Sequence, residues 1–470
     1  MRGKVKLYIK NFGPIKEVEF NIQKSFIGIF GKNNSGKSYS ISVIYLLIKH
    51  INNLDNDLEH IIAKLRKKNG IYRSLKNDYQ KKNNNTKILM EQFFKDVFSE
   101  ILTEKLTNSF FATFNDLNNL KNKSSKEQPE IILKTNHLEL FFIVEETIVL
   151  NQITIIDKIV LRKIKTNRNV KIDKEKKETV LYVSSSNTLT LKNNIVEYTI
   201  QMIQSIKSDV KKYAKYVYYL PASRSGLYQG LSTFSQIFAE LSQKRNLFNK
   251  KIEIPNIPEP ISDYFLNLST IRAKASPVGG LSSIVNEIEN KLLKGKVYFD
   301  DTNNNIYYIP NDLNLKLDLS LTSSMISEIS PVVSFLKYIL PKNRKQYYDK
   351  KKKPKALYNS LLIIEEPEAH LHPEVQIQLM ETFSKLIKIG VKIIITSHSN
   401  YMFNKMNNLV LEKKLNPEKI EVFVFDEFND GIVTTAKIDE LGIDDNNFVD
   451  VAENLYVEKI QAIEKINGLK

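Results

Sequence analysis

Gly31-Lys32-Asn33-Asn34-Ser35-Gly36-Lys37-Ser38 decides how this chain is read. The pattern G-x-x-x-x-G-K-S describes a phosphate-binding loop. Its glycines permit a tight turn, so that successive backbone N–H groups from Gly31 through Asn33, Asn34, Ser35 and Gly36 point inward at phosphate oxygens. The helix expected next aims its positive end at the same anion. Lys37 is placed to reach the β- and γ-phosphates, and the Ser38 hydroxyl to hold Mg²⁺. The flanks agree. Ser25–Phe30 is a short apolar run, read as a buried strand, and Ser40–Ile48 continues as a helix.

Outward from the loop, Lys4–Lys10 and Val18–Ile22 alternate in the manner of strands, joined by an Asn11-Phe12-Gly13-Pro14 turn. From about 50 to 125 the chain is polar, rich in Lys and Asn, and helical. Within it Leu89, Phe93, Val97 and Ile101 form one apolar row and Met90, Phe94, Phe98 and Leu102 a second. That broad face either packs in its own domain or meets another protomer. Residues 131 to about 198, including LTL at 189–191, switch to period two and read as an antiparallel sheet with an exposed hairpin tip over Lys163–Lys177. Helix is expected over 199–214, and Tyr216–Leu220 as a strand. Residues 230–295 read as mostly helical, broken by the prolines of 254–260. Strands are expected at 296–300, 306–309 and 314–320. A helix from Ser323 to Leu340 contains Pro331, and a basic loop runs over Lys342–Lys355. A terminal helix is expected from Asn447 to about Ile466.

The 470 residues carry 69 Lys and Arg against 53 Asp and Glu, a net charge of +16. A polyanionic partner such as DNA, RNA or an acidic protein accounts for that excess. So does lysine enrichment in a chain also rich in Asn and Ile. The absence of cysteine excludes disulfides, thiolate metal sites and cysteine nucleophiles, and fits a reducing cytoplasm. The N-terminus has no sustained apolar segment of a signal peptide, and no run is long enough to span a membrane.

A second motif, Leu361-Leu362-Ile363-Ile364-Glu365-Glu366, is an apolar strand delivering two carboxylates at its end. Phosphoryl transfer uses two such groups: one for Mg²⁺, assigned to Glu365, and one to polarise the attacking water, assigned to Glu366. A third, Thr396-Ser397-His398-Ser399, ends the next apolar strand, and His398 can sense a γ-phosphate and orient water.

Together EEPEAHLHP (365–373), IIITSHS (393–399) and the N-terminal LYIKNFGPIKEVEF…GIFGKNNSGKSY resemble the ABC-type ATPase heads of the OLD-like, RecF-like and SMC-like group. The resemblance implies an α/β fold, an ABC-type P-loop NTPase head with a mixed sheet core, an antiparallel β subdomain and helical insertions. It implies ATP and Mg²⁺ as cofactors. It also implies homodimers or higher homo-oligomers in which two heads sandwich two nucleotides. The organisation expected is one lobe over 1–50 and 131–225, helical insertions over 51–130 and 226–295, and a second lobe over 296–470. By the same resemblance, YLPASRSG (219–226) stands at the loop between the lobes, making Arg224 a phosphate or inter-lobe contact. LSLTSSMISEI (319–329) stands at the signature, making Ser323 or Ser324 the contact to the partner's nucleotide. The family's Ser-Gly is here Ser324-Met325, which works against tight sandwiching and fast hydrolysis. His370 and His372 are read as packing and hydrogen-bonding groups rather than a metal pair. Only 72 residues follow His398, short for the Toprim domain of OLD-type nucleases, and Asp426-Glu427 and Asp444-Asp445 read as surface turns. No long heptad arm is present. A stand-alone head of this kind resembles the ATPase subunits of two-component antiphage systems such as the PARIS and Septu types. In that case a separate effector nuclease or toxin is expected, with a phage protein or DNA as trigger and no membrane. A RecF-like DNA-repair ATPase is the alternative.

Overall fold

The computed structural model describes residues 5–230, 257–348, 354–425, 432–444 and 451–468, apart from 68–69, 82–84, 166–167, 174–175, 185–187, 272–276, 303–304 and 314. The chain opens with strands β1 (Lys6–Phe12), β2 (Ile15–Asn21) and β3 (Phe26–Gly31), then helix α1 (Lys37–Asn52). Helices α2 (Leu58–Lys67), α3 (Gly70–Lys81) and the long α4 (Thr86–Phe114) follow. Next come β4 (Glu130–Lys134), β5 (Leu138–Val144), β6 (Ile148–Ile155), β7 (Lys158–Ile164), β8 (Lys171–Asp173), β9 (Glu178–Ser184), α5 (Thr188–Ala214) and β10 (Tyr216–Leu220). Beyond a helical stretch at 224–230 lie α6 (Glu259–Ser269), α7 (Gly280–Glu287), β11 (Gly295–Asp300), β12 (Asn305–Pro310), β13 (Leu317–Asp318) and α8 (Ser324–Ser334). The rest comprises β14 (Arg344–Tyr348), β15 (Pro354–Tyr358), β16 (Ser360–Glu365), α9 (Pro373–Lys388), β17 (Lys392–Ser397), α10 (Asn400–Leu411), β18 (Ile420–Phe425), β19 (Val433–Thr435) and α11 (Val451–Gly468).

The central sheet runs β10-β16-β17-β3-β18-β19, parallel except for the last strand. Its inner strands are apolar throughout because both faces are covered. Alternate residues divide between two cores. Ile27, Ile29, Leu361, Ile363 and Ile394 face the core shared with α1, α4, α5 and a five-stranded antiparallel sheet, β2-β1-β4-β5-β6. Phe26, Phe30, Leu362, Ile364, Ile393 and Ile395 face the core shared with α6 to α10. This is the expected α/β P-loop head, with mixed and antiparallel sheets and helical additions. Register brings the strand ends level: Ser397 lies beside Phe30, Glu365 beside Thr396 and Phe425 beside Gly31. Ligands of open parallel sheets bind at these C-terminal ends.

The two apolar rows of α4 pack inside the chain. Phe93, Phe94, Val97, Phe98, Ile101 and Leu102 are all buried in the first core. Three expectations are corrected. The period-two region does not form one antiparallel sheet, because β7, β9 and β8 make a separate three-stranded sheet in which β7 and β9 are parallel. Residues 189–191 are helix, the first turns of α5: Leu191, Ile195, Tyr198 and Met202 keep a helical spacing and are buried. The stretch 342–355 is not a plain loop, since β14 and β15 pair there antiparallel. Around Pro331 the helix persists as α8 and passes into a π-helical turn at Phe335–Ile339. The terminal helix is described over Val451–Gly468, and Asn447, with Asp426, Glu427 and Asp445, lies outside the described residues. Exposed Asp444 directly follows the short strand Gly442–Ile443 rather than lying in a turn, its N–H bonded to the Lys437 carbonyl.

Candidate functional site

Gly31 ends β3 with φ 140°, Asn34 has φ 60° and Gly36 has φ 99°. Gly31 is fixed by crowding as well: a Cβ there would stand 2.0 Å from the Phe425 carbonyl oxygen. Gly36 occupies the N-cap of α1 and has no side chain to cap it, and the first turn holds no acid. The first N–H groups of α1 therefore face the loop without a side-chain acceptor, which suits an anion. Asn33 and Asn34 are exposed on the loop and Ser38 in the first turn of α1, while Ser35 is buried with its hydroxyl donating to the Lys32 carbonyl at 2.8 Å.

Lys37 is buried, and its ammonium donates to the Gly31 carbonyl at 3.0 Å and to the Lys32 carbonyl. Burial pulls its pKa down to about 8, against the pull of the nearby carboxylates Glu366, Glu368 and Glu365. The His398 Nδ1 lies 3.5 Å from the Lys37 ammonium, and its Nε2 lies 3.1 Å from Glu366 Oε1. An ammonium can only donate, so Nδ1 is the acceptor and Nε2–H donates to the carboxylate. That bond is the main reason the Glu366 carboxyl sits below the ordinary range, and burial opposes it. The first-motif lysine, the second-motif acid and the third-motif histidine thus form one line, although 361 residues separate Lys37 from His398.

Glu366 itself has φ 42°, a left-handed backbone rare outside glycine. Its N–H is held by the Thr396 carbonyl at 3.1 Å. Glu365, at the end of β16, accepts the Tyr219 hydroxyl on Oε2 at 2.9 Å. The Tyr219 phenol is pushed well above its ordinary pKa by burial, so it stays a donor.

Arg224 is buried at 1% exposure, and all its guanidinium nitrogens are committed. It donates through Nη1 to the carbonyls of Pro221 and Glu365, through Nη2 to the Glu366 carbonyl, and through Nε to the Glu328 carbonyl. Its ion-pair partner is the Glu328 carboxylate at 3.3 Å, itself fully buried on α8 and also bonded by the Ser225 hydroxyl at 2.6 Å. Arg224, expected as a phosphate or inter-lobe contact, is held between the turn after β10, α8 and the end of β16. Its donors are already occupied where it stands.

Ser323 and Ser324 are exposed at the start of α8, and no described hydrogen bond joins them to the phosphate loop. Met325, the departure from Ser-Gly, turns partly into the second core. His372 caps α9, its Nδ1 accepting the Glu374 N–H at 3.4 Å. Among the described residues no cluster of three or more His, Asp or Glu could hold a metal. No described helix is long and apolar enough to cross a membrane.

Three residues escaped the sequence reading. Tyr219 orients Glu365, and Glu328 anchors Arg224. Glu368 Oε1 accepts the Ser397 hydroxyl at 2.7 Å and the His398 N–H at 2.6 Å, while its buried Oε2 has no hydrogen-bond partner among the described residues. Burial raises the Glu368 carboxyl above the ordinary range. A lone acid in the apolar ISEISPVV segment, and a lone arginine just past a buried strand, were signals of a mutual partner.

A family model described as AAA ATPase domain matches residues 4–403. No curated protein matches the chain. Among solved structures, an SMC head bound to the C-winged helix domain of ScpA is similar with TM-score 0.38 and 10% identity, over 92% of this chain and 96% of that one. The SMC head domain from Thermotoga maritima is similar with TM-score 0.36 and 10% identity, over 93% and 100%. An SMC head with an extended coiled coil, bound to the C-terminal domain of ScpA derived from Pyrococcus furiosus, gives 0.34 and 10%, over 92% and 96%.

Proposed function

The chain belongs to the AAA ATPase domain family, whose model spans most of its length, and from that premise we propose that it binds ATP with Mg²⁺ and hydrolyses it. The observation that carries this reading is the line Lys37–His398–Glu366 at the ends of three neighbouring strands. The loop amides from Gly31 to Gly36, the start of α1 and Lys37 bind and orient the phosphates. Ser38 and Glu365 hold Mg²⁺, with Tyr219 fixing which Glu365 oxygen is free. Mg²⁺ supplies charge neutralisation on the transferred phosphoryl group. Glu366, kept ionised by its bond to His398, accepts a proton from the attacking water. His398 is positioned to report the γ-phosphate to that carboxylate. Ser323 and Ser324 contact the nucleotide of a second head.

In this proposal the ATPase is the sensor or scaffold subunit of an antiphage defence system. It self-associates through its heads and controls a separate effector nuclease or toxin, which it releases or activates on meeting a phage protein or DNA. The motif resemblance supports this. The net charge of +16 supports the alternative, a RecF-like ATPase that clamps DNA. Steeply salt-dependent DNA binding favours that alternative, and co-purification with a neighbouring nuclease or toxin favours defence.

The deciding experiment pairs two variants. Lys37→Ala abolishes ATP binding, read by fluorescent-nucleotide titration. Glu366→Gln retains ATP and lowers turnover by roughly 10²- to 10⁴-fold, the usual contribution of a general base. Wild-type turnover in Glu366→Gln overturns the assignment of the base.

A further inference from the structure

Helix α11 exposes Tyr456 (63%), Val457 (47%), Ile460 (38%) and Ile463 (43%). Every residue from 456 to 465 is exposed, so this face is not packed against the head. No other helix among the described residues exposes four large apolar side chains within eight positions. Isolated exposed apolar residues are ordinary, but a contiguous set on one helix marks an interaction surface.

The spacing identifies the occupant. Tyr456, Ile460 and Ile463 recur at intervals of four and three, the seam of a two-helix coiled coil, with Val457 on its border. Lys459 immediately precedes the seam residue Ile460, and Glu464 immediately follows the seam residue Ile463. In a parallel, in-register pair of such helices these flanking positions meet across the seam. Lys459 of each helix then faces Glu464 of the other, twice by symmetry. In an antiparallel pair like flank faces like flank, and the complementarity is lost. We infer that α11 is a self-association element: it pairs in parallel, in register, with α11 of a second copy of this chain, independently of nucleotide.

The chain contains no cysteine, so one introduced thiol reports on one position. In a parallel pair each seam residue faces its own twin. Ile460→Cys under a mild oxidant such as diamide is therefore expected to give covalent dimer rapidly, without ATP and also in a Lys37→Ala background. Glu458→Cys, on the far face of the helix, serves as control and is expected to cross-link at least tenfold more slowly. Adding Lys459→Glu to Ile460→Cys is expected to cut the cross-linking rate several-fold. Adding Glu464→Lys as well is expected to restore it, because the pair is then merely reversed. Thermal unfolding of each variant checks that the head is intact. Equal rates at 460 and 458 overturn the inference, as does a Lys459→Glu defect that Glu464→Lys deepens. Because the Lys37→Ala background abolishes the proposed ATP binding, failure of α11 to pair and failure of the ATPase reading are separate outcomes.

Discussion

The phosphate-loop end of the central sheet and the start of α8 differ in how far one chain completes them. At the loop, Lys37, His398, Glu366 and Glu368 are tied to one another and to backbone groups of the same chain. At α8, Ser323 and Ser324 stand exposed, beside Leu321 at 74% exposure. Yet the body of α8 is among the most buried parts of the molecule, with Glu328 pinned to Arg224. A rigidly held helix that presents a bare tip is suited to a contact with another chain. The tip is also mechanically joined to the acids, because Arg224 bonds Glu328 on one side and the carbonyls of Glu365 and Glu366 on the other.

That joint gives the largest expected effect. Arg224→Ala leaves Glu328 charged, buried and without its ion-pair partner, a change that costs about 3–5 kcal/mol. Chemical denaturation reads it as a lower midpoint. Arg224→Lys is not expected to rescue, since a single ammonium cannot serve the Glu328 carboxylate and four carbonyls from one place. An unchanged midpoint in Arg224→Ala breaks the claim that the two ends are joined here.

Ser324→Arg tests the bare tip. The side chain is exposed, so folding and ATP binding are expected to be unchanged, while hydrolysis drops tenfold or more through loss of the contact in trans. Mixing Ser324→Arg with Lys37→Ala sharpens the comparison, because a mixed pair has one intact composite site. Activity is expected to reappear on mixing, and its absence denies that the tip acts on a partner's nucleotide. Glu368 tests the self-contained end. Glu368→Ala strips the acceptor from the His398 N–H and the Ser397 hydroxyl, worth about 1–3 kcal/mol. A several-fold lower kcat with unchanged ATP affinity is expected. Glu368→Gln keeps an acceptor and is expected to recover most of it, whereas a purely packing role predicts no such recovery.

The same contrast explains what could be read from the sequence. The loop, the acid-bearing strand and the histidine strand are short contiguous motifs whose chemistry is local, and parallel pairing of apolar strands brings them together. The alternation of Ile27 and Ile29 against Phe26 and Phe30 is likewise visible in the chain. Partnerships such as Arg224 with Glu328, 104 positions apart, depend on the packing of α8 against the sheet, which no local pattern encodes. The split of the β region failed for a related reason. Period two reports which side of a strand is buried, but not whether β7 pairs with its neighbour or, in parallel, with β9. The start of α5 was missed because the three residues LTL fit either period, and only the buried residues beyond them decide for helix.

The smallest effect expected is a fraction of a proton, and it probes why the loop end is so tightly knit. Lys37 titrates at about 8 because it is buried, not because of a neighbouring cation. An arriving polyphosphate favours its charged form and raises that value. Between the two values the complex binds more protons than the free protein, so ATP binding takes up protons there. At pH 8.5 the free lysine is mostly neutral, and uptake approaches roughly three-quarters of a proton. At pH 7 the lysine is already charged, and uptake falls to roughly a tenth. Glu366, held below the carboxylate range, stays ionised at both. Titration calorimetry in two buffers of different ionisation enthalpy measures the difference directly. Lys37→Arg supplies the control, since a guanidinium is charged throughout and is expected to show no uptake at pH 8.5. Equal uptake in Lys37→Arg and wild type would assign the proton to another group and detach the burial of Lys37 from the binding of phosphate.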